Sequence, residues 1–328
     1  MASFTRYATI GVLPWLCLAP FQYGYAISQL NQIQKAMSCK STELGAYGFP
    51  LCVPMEDAEF GLITSIFTIG GLISSLVANR ITDPYGRRPA VQINAILVAL
   101  GSAIAATASS VFALSVARFL IGLAAGLALC VAPSFLSEIA PPKVRDAVGV
   151  LNQLSVVFGI LFTQFLGFAF AKPGSWRAIF VISFGLSTLQ FLLGLRMIES
   201  PAWLAANNKK HEASVVAAKI WKSEDGTRIY EADDVEEALL RQREPLVNQD
   251  QPSATIPQCF RIAELRLPLI IVSLAMLAQQ LSGINAVMYY STDILSRAMP
   301  EAAPYVSLAV AVINVIMTFP PIFVIEAS

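Results

Sequence analysis

The chain has 328 residues, of which 55% are hydrophobic and only 13% are charged, and its formal net charge is zero. Soluble domains carry roughly 25% charged residues, so this composition indicates a membrane protein and argues against an ordinary soluble domain. A zero net charge lacks the basic surface that nucleic-acid binding requires. The chain has one histidine and no nucleophile–base or metal-ligand grouping, so we expect no enzyme activity, no metal site and no cofactor.

Apolar runs, each about 20 residues long and sufficient to cross the hydrocarbon core, recur along the chain. They lie at 8–28, 58–79, 89–109, 111–133, 147–170, 177–197, 267–292 and 304–325. The charged segment between the sixth and seventh runs shows helical spacing of apolar residues at 212–221 and 233–243. We therefore expect a six-helix membrane half at 1–198, a helical insert at 199–262 and two further helices at 263–328.

The positions of lysine and arginine predict the orientation of the spans. With a cytoplasmic N-terminus, the opposite side of the membrane keeps only Lys35, Lys40, Lys172, Arg177 and Arg297 of the 22 basic residues. Both termini are therefore expected in the cytoplasm, with the plasma membrane and an organellar membrane both open. Cys39 and Cys52 share one outer loop, and the sequence leaves open whether they form a disulfide or two free thiols.

Three amides, on Gln279, Gln280 and Asn285, interrupt the seventh apolar run. An unpaired amide in hydrocarbon costs several kcal/mol, so these side chains should face a neighbouring helix, a cavity or a ligand. On a continuous helix Gln280 and Asn285 would point about 140° apart, at about 100° per residue. Gly283 lies between them and permits a helix break that would bring both amides to one surface. Amides beside tyrosines suit a neutral polyhydroxylated ligand.

Charged motifs follow the second, fourth and sixth apolar runs. They are Asp83 to Arg88, Ser137 to Arg145, and Glu199 to Leu204. Carboxylates and arginines at such positions pair with each other and with helix ends across tight turns. Simple positive-inside anchoring accounts for the basic residues equally well.

Together with Arg118-Phe119, Gly122 and the run from Gln279 to Asn285, these motifs resemble the sugar-porter family of the major facilitator superfamily. The resemblance covers all but the last two residues. It implies an all-α polytopic membrane protein with the major facilitator fold: a complete N-terminal six-helix half, a cytoplasmic helical insert and the first two helices of the C-terminal half. It also implies transport of a hexose-like sugar by alternating access, with a small neutral sugar and the lipid bilayer as partners.

The resemblance implies roles for individual residues. Substrate-binding positions are Gln153, Gln279, Gln280, Asn285 and Asn314, with the apolar Val156 and Ile160 beside the sugar. Tyr289 and Tyr290 match an outer gate, and Arg118 matches an arginine that faces the cavity. The cytoplasmic charge network, made in the outward-facing state, would comprise Arg80, Asp83, Arg87, Arg88, Glu138, Arg145 and Glu199.

Each role has a structural alternative. An amide within a span often bonds only a neighbouring helix, for about 0.6 kcal/mol on average. Tyrosines anchor helices at the interface, and a long arginine side chain reaches the interface by extending its charged end towards water.

Three departures from the family pattern refine the expected function. Proton-coupled relatives carry an aspartate after the Gly-Tyr of helix one, whereas Ala26 follows Gly24-Tyr25 here, which favours facilitated diffusion over proton symport. Ala202 and Ile198 replace an arginine and a proline, so the charge network should lose at least one partner. The family continues with four more helices, so we expect this chain alone to transport poorly. A sugar sensor that does not transport is the alternative from another class, and the sequence identifies no partner chain.

Overall fold

The computed structural model describes residues 3–38, 43, 48–141, 145–222 and 263–320. A five-residue π-helix, Ala8–Val12, leads directly into the first α-helix. In chain order the α-helices are α1 Leu13–Ser28, α2 Gln34–Met37, α3 Asp57–Tyr85, α4 Arg87–Thr107, α5 Val111–Ile139, α6 Arg145–Phe170, α7 Arg177–Gly194, α8 Pro201–Ala206, α9 Lys210–Ile220, α10 Ala263–Leu281, α11 Ile284–Ala298 and α12 Ala303–Thr318. Two short strands, β1 Ser3–Phe4 and β2 Trp221–Lys222, complete the described elements.

Among the described residues, seven helical segments are long and apolar enough to cross a membrane, which makes this a multi-pass membrane protein. They correspond to the first seven predicted runs. The eighth run contains α12, which is apolar but only 16 residues long within the described part of the chain. Helices α3 and α5 continue to Tyr85 and Ile139, past the predicted ends of their runs. The helical backbone satisfies its own hydrogen bonds, so it continues past the apolar run into polar residues.

Close backbone contacts hold the first six spans together. The largest contacts join α3 to α5, α4 to α5, α1 to α6, and α4 to α7. A Cβ atom on Gly122 would overlap the Phe67 carbonyl at the α3–α5 crossing, and one on Gly24 would overlap the Val156 carbonyl at the α1–α6 crossing. Small residues permit such approach, which gives helix association in lipid its van der Waals energy.

Loops define two ends of this helical bundle. One end, here called the basic end, contains the α3–α4 turn at 85–88, the end of α5 and the segment 194–200 that follows α7. The other, here called the distal end, contains the starts of α3, α5 and α7, and the α11–α12 turn. At the distal end the Trp176 indole donates to the Leu51 carbonyl, and Arg177 donates to the Pro50 and Ala106 carbonyls. Cys52 is buried there and disulfide-bonded, whereas Cys39 lies outside the described residues.

The last three helices differ in how they attach to the bundle. Helix α12 packs on α6, and α11 contacts both α12 and α1. Helix α10, by contrast, has no buried residue among those described. The sequence pattern predicted two apolar helices here and a break at Gly283, but it did not predict that the part before the break would stand exposed.

A short two-stranded pairing, which the sequence analysis missed, ties the N-terminus to the insert. β1 pairs with β2 in antiparallel register, and the Thr5 N–H donates to the Ile220 carbonyl at 2.9 Å. Trp221 is buried, and its indole N–H donates to the Ile139 carbonyl at 2.8 Å. Helix α9 confirms the helical spacing expected at 212–221, while 233–243 lies outside the described residues. The arm at 3–12 and the insert therefore meet at the basic end.

Candidate sugar-binding site and its gates

The polar break in the seventh span forms as the sequence predicts. Helix α10 ends at Leu281, α11 begins at Ile284, and Gly283 between them has a left-handed φ of 74°. Across this break the Asn285 side-chain amide donates to the Gln280 side-chain oxygen at 2.6 Å. A continuous helix would keep these two residues on different faces, so the glycine conformation brings them together. Gln280 is exposed and Asn285 half-buried, which leaves the remaining donors and acceptors of the pair available.

A buried apolar cluster brings the other expected substrate positions near each other. Val156 and Ile160 of α6 pack in one cluster with Met288 of α11 and Ala311 of α12. Residues three or four apart share a helix face. Gln153 therefore lies one turn before Val156 on α6, and Asn314 lies one turn after Ala311 on α12. Gln153 is exposed and Asn314 half-buried, and both lie on the helix faces that form this cluster.

Arg118 is fully buried in the first third of α5. Its Nη1 donates to the Ala26 carbonyl at 2.9 Å, and its guanidinium lies 4.4 Å from the Phe67 ring centroid. Its Nε and Nη2 atoms have no hydrogen-bond partner among the described residues. The alternative in which this side chain extends to the interface is therefore wrong. A buried cation with unpaired donors is costly, and such residues mark functional sites within membranes.

Two tyrosines of α11 lie between this arginine and the distal end. Tyr290 packs edge-on against Phe60 of α3, with ring centroids 6.1 Å apart, and Tyr289 packs against Tyr290 at 6.4 Å. Both tyrosines lie near Arg118. They contact the helical bundle and are half-buried, so packing between helices describes them better than anchoring at a lipid interface.

Beyond the tyrosines, a hydrogen-bonded group joins the two parts of the molecule at the distal end. The Asn31 amide donates to the Ser291 hydroxyl at 2.8 Å, and its oxygen accepts the Thr292 N–H at 3.0 Å. Ser307 of α12 lies 3.0 Å from Ser291 and accepts from Thr292 at 2.9 Å. We call Asn31, Ser291, Thr292 and Ser307 the distal clasp. The sequence pattern does not predict it, because helical serines and threonines commonly bond their own backbone and give no distinctive pattern.

At the basic end, the expected charge network is partly formed. Two nitrogens of Arg87 donate to the Glu138 carboxylate at 2.9 to 3.1 Å, and Asp83 lies 3.7 Å from Arg87 as a second ion pair. The Ser200 hydroxyl also donates to Glu138. Together these bonds connect the α3–α4 turn, the end of α5 and the start of α8.

The motif suggests that Glu199 is a partner in an ion pair, but the structure gives it a different role. Its carboxylate accepts the backbone N–H groups of Arg87 at 2.9 Å and of Arg88 at 3.1 and 3.2 Å. It therefore caps the start of α4, where the helix dipole favours negative charge. Burial raises the pKa of Glu199, although the N–H groups of Ser200, Arg88 and Arg87 and the charge of Arg87 oppose this rise.

Two other expected members of the network are placed elsewhere. The Arg88 side chain donates to the Gly194 and Leu195 carbonyls at 2.9 and 2.8 Å, and so closes the end of α7. Arg80 is exposed, and no ion pair joins it to another described residue, so it lies outside the network in this structure. The side chain of Arg145 lies outside the described part. Arg88 binds carbonyls rather than carboxylates because Glu138 is already bonded to Arg87 and Glu199 to the start of α4.

Comparison with known proteins identifies the family. Residues 12–328 match the family model described as sugar (and other) transporter. The chain belongs to the sugar transporter family. Within it, a probable metabolite transport protein of Saccharomyces cerevisiae is 29% identical over 315 residues, covering 92% of this chain and 64% of that protein. The human solute carrier family 2 facilitated glucose transporter member 4 is 34% identical over 327 residues, covering 95% and 62% respectively. The chain thus spans less than two thirds of the length of these relatives.

A solved structure confirms the major facilitator fold. The partially occluded inward-open xylose transporter XylE from E. coli superimposes with a TM-score of 0.72, at 18% identity. The match covers 96% of this chain and 72% of XylE, which is a proton:xylose symporter. Members of the sugar transporter family are transporters rather than enzymes, in agreement with the composition and motifs of this chain.

Proposed function

We propose that this sugar transporter chain moves a small neutral sugar of the hexose class across a membrane by alternating access. The Gln280–Asn285 pair across the Gly283 break is the observation that supports this most directly. Amides held together at a helix break, beside a cluster that contains Val156 and Ile160, supply donors, acceptors and an apolar surface to one ligand. A neutral polyol requires many hydrogen bonds and no countercharge, which matches this set of side chains.

Two groups of bonds at opposite ends support the alternation of access. The distal clasp and the Tyr290–Phe60 contact hold α11 and α12 to the bundle at the distal end. The Arg87–Glu138 pair and the Glu199 cap organise the basic end. We propose that α11 and α12 rock around the central cluster, and that breaking the distal clasp opens the site towards the distal end. The distribution of basic residues supports a cytoplasmic basic end.

Facilitated diffusion is the proposed mode of transport. Ala26 stands where proton-coupled relatives carry an aspartate, and its carbonyl is the hydrogen-bond partner of Arg118. The described surroundings of Arg118 therefore supply a backbone oxygen, an aromatic ring and two tyrosines, without a carboxylate that could carry a proton. The relatives include both a facilitated glucose transporter and a proton:xylose symporter, so similarity alone leaves both modes open. The surroundings of Arg118 support facilitated diffusion.

Uptake by the purified 328-residue chain in liposomes tests the proposal. We expect slow uptake in which labelled D-glucose enters faster than L-glucose, with no effect of a proton gradient. Gln280→Ala should reduce the specific uptake about tenfold, since a hydrogen bond to a buried ligand contributes about 1.4 kcal/mol. Asn79→Ala, which removes an exposed amide of α3, is the control and should leave uptake unchanged. Saturable sugar binding without flux would favour a sensor, and equal entry of both enantiomers with no binding would exclude a sugar site.

A further inference from the structure

A cavity of about 900 Å³ lies at the basic end, away from the sugar site. The N-terminal arm, the segment that follows α7 and the last turn of α9 with β2 line it. Its polar lining comprises Thr5, Arg6, Tyr7, Arg196, Lys219 and Lys222. The β1–β2 pairing and the Thr5 hydroxyl bond to the Lys219 carbonyl, at 2.6 Å, fix the arm against the insert and so shape the cavity.

The described side chains that line this cavity carry only positive charge. Among the described residues, the lining includes four basic side chains and no carboxylate. None of the four forms an ion pair with another residue in the described ranges. The Glu199 carboxylate, three residues beyond Arg196, is already bonded to the start of α4. Four like charges around one cavity repel each other, and a bound anion is the direct way to offset that repulsion.

The cavity also lies at the edge of the apolar surface. Ile10 follows Arg6 by one helical turn, and Leu195 immediately precedes Arg196; both apolar side chains are exposed. The exposed Tyr7 lies between Arg6 and the first span, and tyrosines concentrate at the level of lipid headgroups. A group bound in this cavity would therefore sit where the phosphates of a phospholipid layer lie.

We propose that this cavity binds a phosphate-bearing anion. Arginine matches phosphate oxygens with paired N–H donors, and lysine adds point charge, so two of each suit a phosphate better than a carboxylate or a neutral sugar. Basic pockets on the cytoplasmic side of membrane proteins bind anionic headgroups by the same chemistry. A phospholipid headgroup and a soluble phosphate share this chemistry, and the experiment below distinguishes these two sources.

The test compares two double variants of the full chain in neutral detergent. Lys219→Gln with Lys222→Gln removes two charges from the cavity. Lys209→Gln with Lys210→Gln removes two charges from the start of α9, outside the cavity lining, and is the matched control. Native mass spectrometry counts retained lipid from an equimolar mixture of phosphatidic acid and phosphatidylcholine. Calorimetry with inorganic phosphate measures the soluble source, and thermal unfolding verifies that each variant is folded.

We expect the unmodified chain to retain phosphatidic acid over phosphatidylcholine. The cavity variant should bind about thirtyfold more weakly, since each basic side chain near an anionic surface contributes a factor of about five. Saturable binding of inorganic phosphate without lipid preference would support the same site with a soluble ligand. No preference and no phosphate binding would overturn the proposal, as would an equal loss in the control variant. Arg196→Gln in the segment after α7, which takes no part in the strand pairing, provides a second test if the double variant fails to fold.

Discussion

Two residues, Arg118 and Ala26, bear on whether sugar transport is coupled to protons. The guanidinium bonds the Ala26 carbonyl and leaves Nε and Nη2 unpaired. Ala26→Asp would place beside this cation a carboxylate, a group that can bind and release a proton within a membrane span. We expect sugar uptake to become dependent on a proton gradient in this variant, measured as uptake with and without a protonophore.

The neutral variant Ala26→Asn is the control, because it adds nearly the same volume without a proton carrier. It should remain insensitive to the protonophore, as should the unmodified chain. Proton-dependent uptake by the unmodified chain would show that another carboxylate carries the proton, and would contradict the proposal of facilitated diffusion.

Because its pKa is raised, Glu199 makes the stability of the basic end depend on pH, and the direction of this dependence can be derived. Burial raises its pKa, so the folded chain holds this proton more tightly than the unfolded chain does. The contribution of Glu199 to the free energy of unfolding is therefore complete below the ordinary glutamate pKa and is lost as pH rises through the raised value. We expect Glu199→Gln to remove this component, seen as a smaller fall of the unfolding temperature between acidic and neutral pH.

Glu212→Gln provides the comparison for this measurement. Glu212 is an exposed glutamate in the first turn of α9, where it pairs with Lys209 at 3.8 Å. Its replacement should leave the pH dependence of unfolding as it is in the unmodified chain. If Glu199→Gln and Glu212→Gln show the same change of unfolding temperature between acidic and neutral pH, the buried Glu199 carboxylate is not the cause of that pH dependence.

The broken span formed by α10 and α11 depends on one glycine. Gly283 has φ of 74°, and a Cβ atom there would contact nothing within 4 Å, so an alanine would be penalised by its backbone conformation alone. That penalty is about 1 to 2 kcal/mol. Gly283→Ala should favour a continuous helix, separate Gln280 from Asn285, and weaken sugar binding about tenfold in a calorimetric titration.

Gly185→Ala on α7 is the matched control for this substitution. A Cβ atom at Gly185 also contacts nothing within 4 Å, but this glycine lies within a regular helix. Alanine should therefore stabilise α7 by up to about 1 kcal/mol and leave sugar binding unchanged. Unaltered binding by Gly283→Ala would mean that the amide pair does not contact the sugar.

The hydrogen bonds of the distal clasp are expected to hold α11 to the bundle. Asn31 is buried and makes two bonds to α11, so Asn31→Ala should weaken this attachment by about 2 kcal/mol. Hydrogen exchange within α11 should then accelerate about thirtyfold, measured by mass spectrometry of peptides from Ile284–Ala298. Lys35→Ala removes an exposed bond to Ser296 in the same interface, and we expect little change from it. Equal protection in both variants would contradict a holding role for Asn31.

The sequence pattern predicts some of these structural elements and not others. The break at Gly283 is predictable because a glycine between amides in an apolar run has a physical reason to interrupt the helix. The distal clasp is not, since the hydroxyls of Ser291 and Ser307 would be satisfied by their own helices anywhere along the sequence. The β1–β2 pairing is also hidden, because two-residue strands carry no alternation to detect. Burial of Arg118 follows from resemblance to the family, whereas charge pattern alone would place it at an interface.

The whole molecule combines a basic end with a distal end that holds α11 and α12. The Arg87–Glu138 pair and the Glu199 cap act within the first six spans, so they set the shape of one end without involving α11 or α12. The distal clasp and the Tyr290–Phe60 contact, in contrast, join the turn after α1 and the start of α3 to the later helices. Movement of α11 and α12 relative to the bundle is therefore expected to disrupt the distal end first.

The orientation of the whole molecule in its membrane can be measured with matched glycosylation acceptors. The sequence contains no Asn-x-Ser/Thr site, so each engineered site reports alone. Lys40→Asn creates Asn-Ser-Thr in the loop between the first two spans, and Lys210→Thr creates Asn-Lys-Thr between α8 and α9. Both remove one lysine, so their effects on charge are equal. With the basic end cytoplasmic, only Lys40→Asn should gain a glycan in microsomes, seen as a glycosidase-sensitive shift on a gel. The reverse pattern would place the basic end, and the cavity formed by its arm and insert, on the opposite side of the membrane.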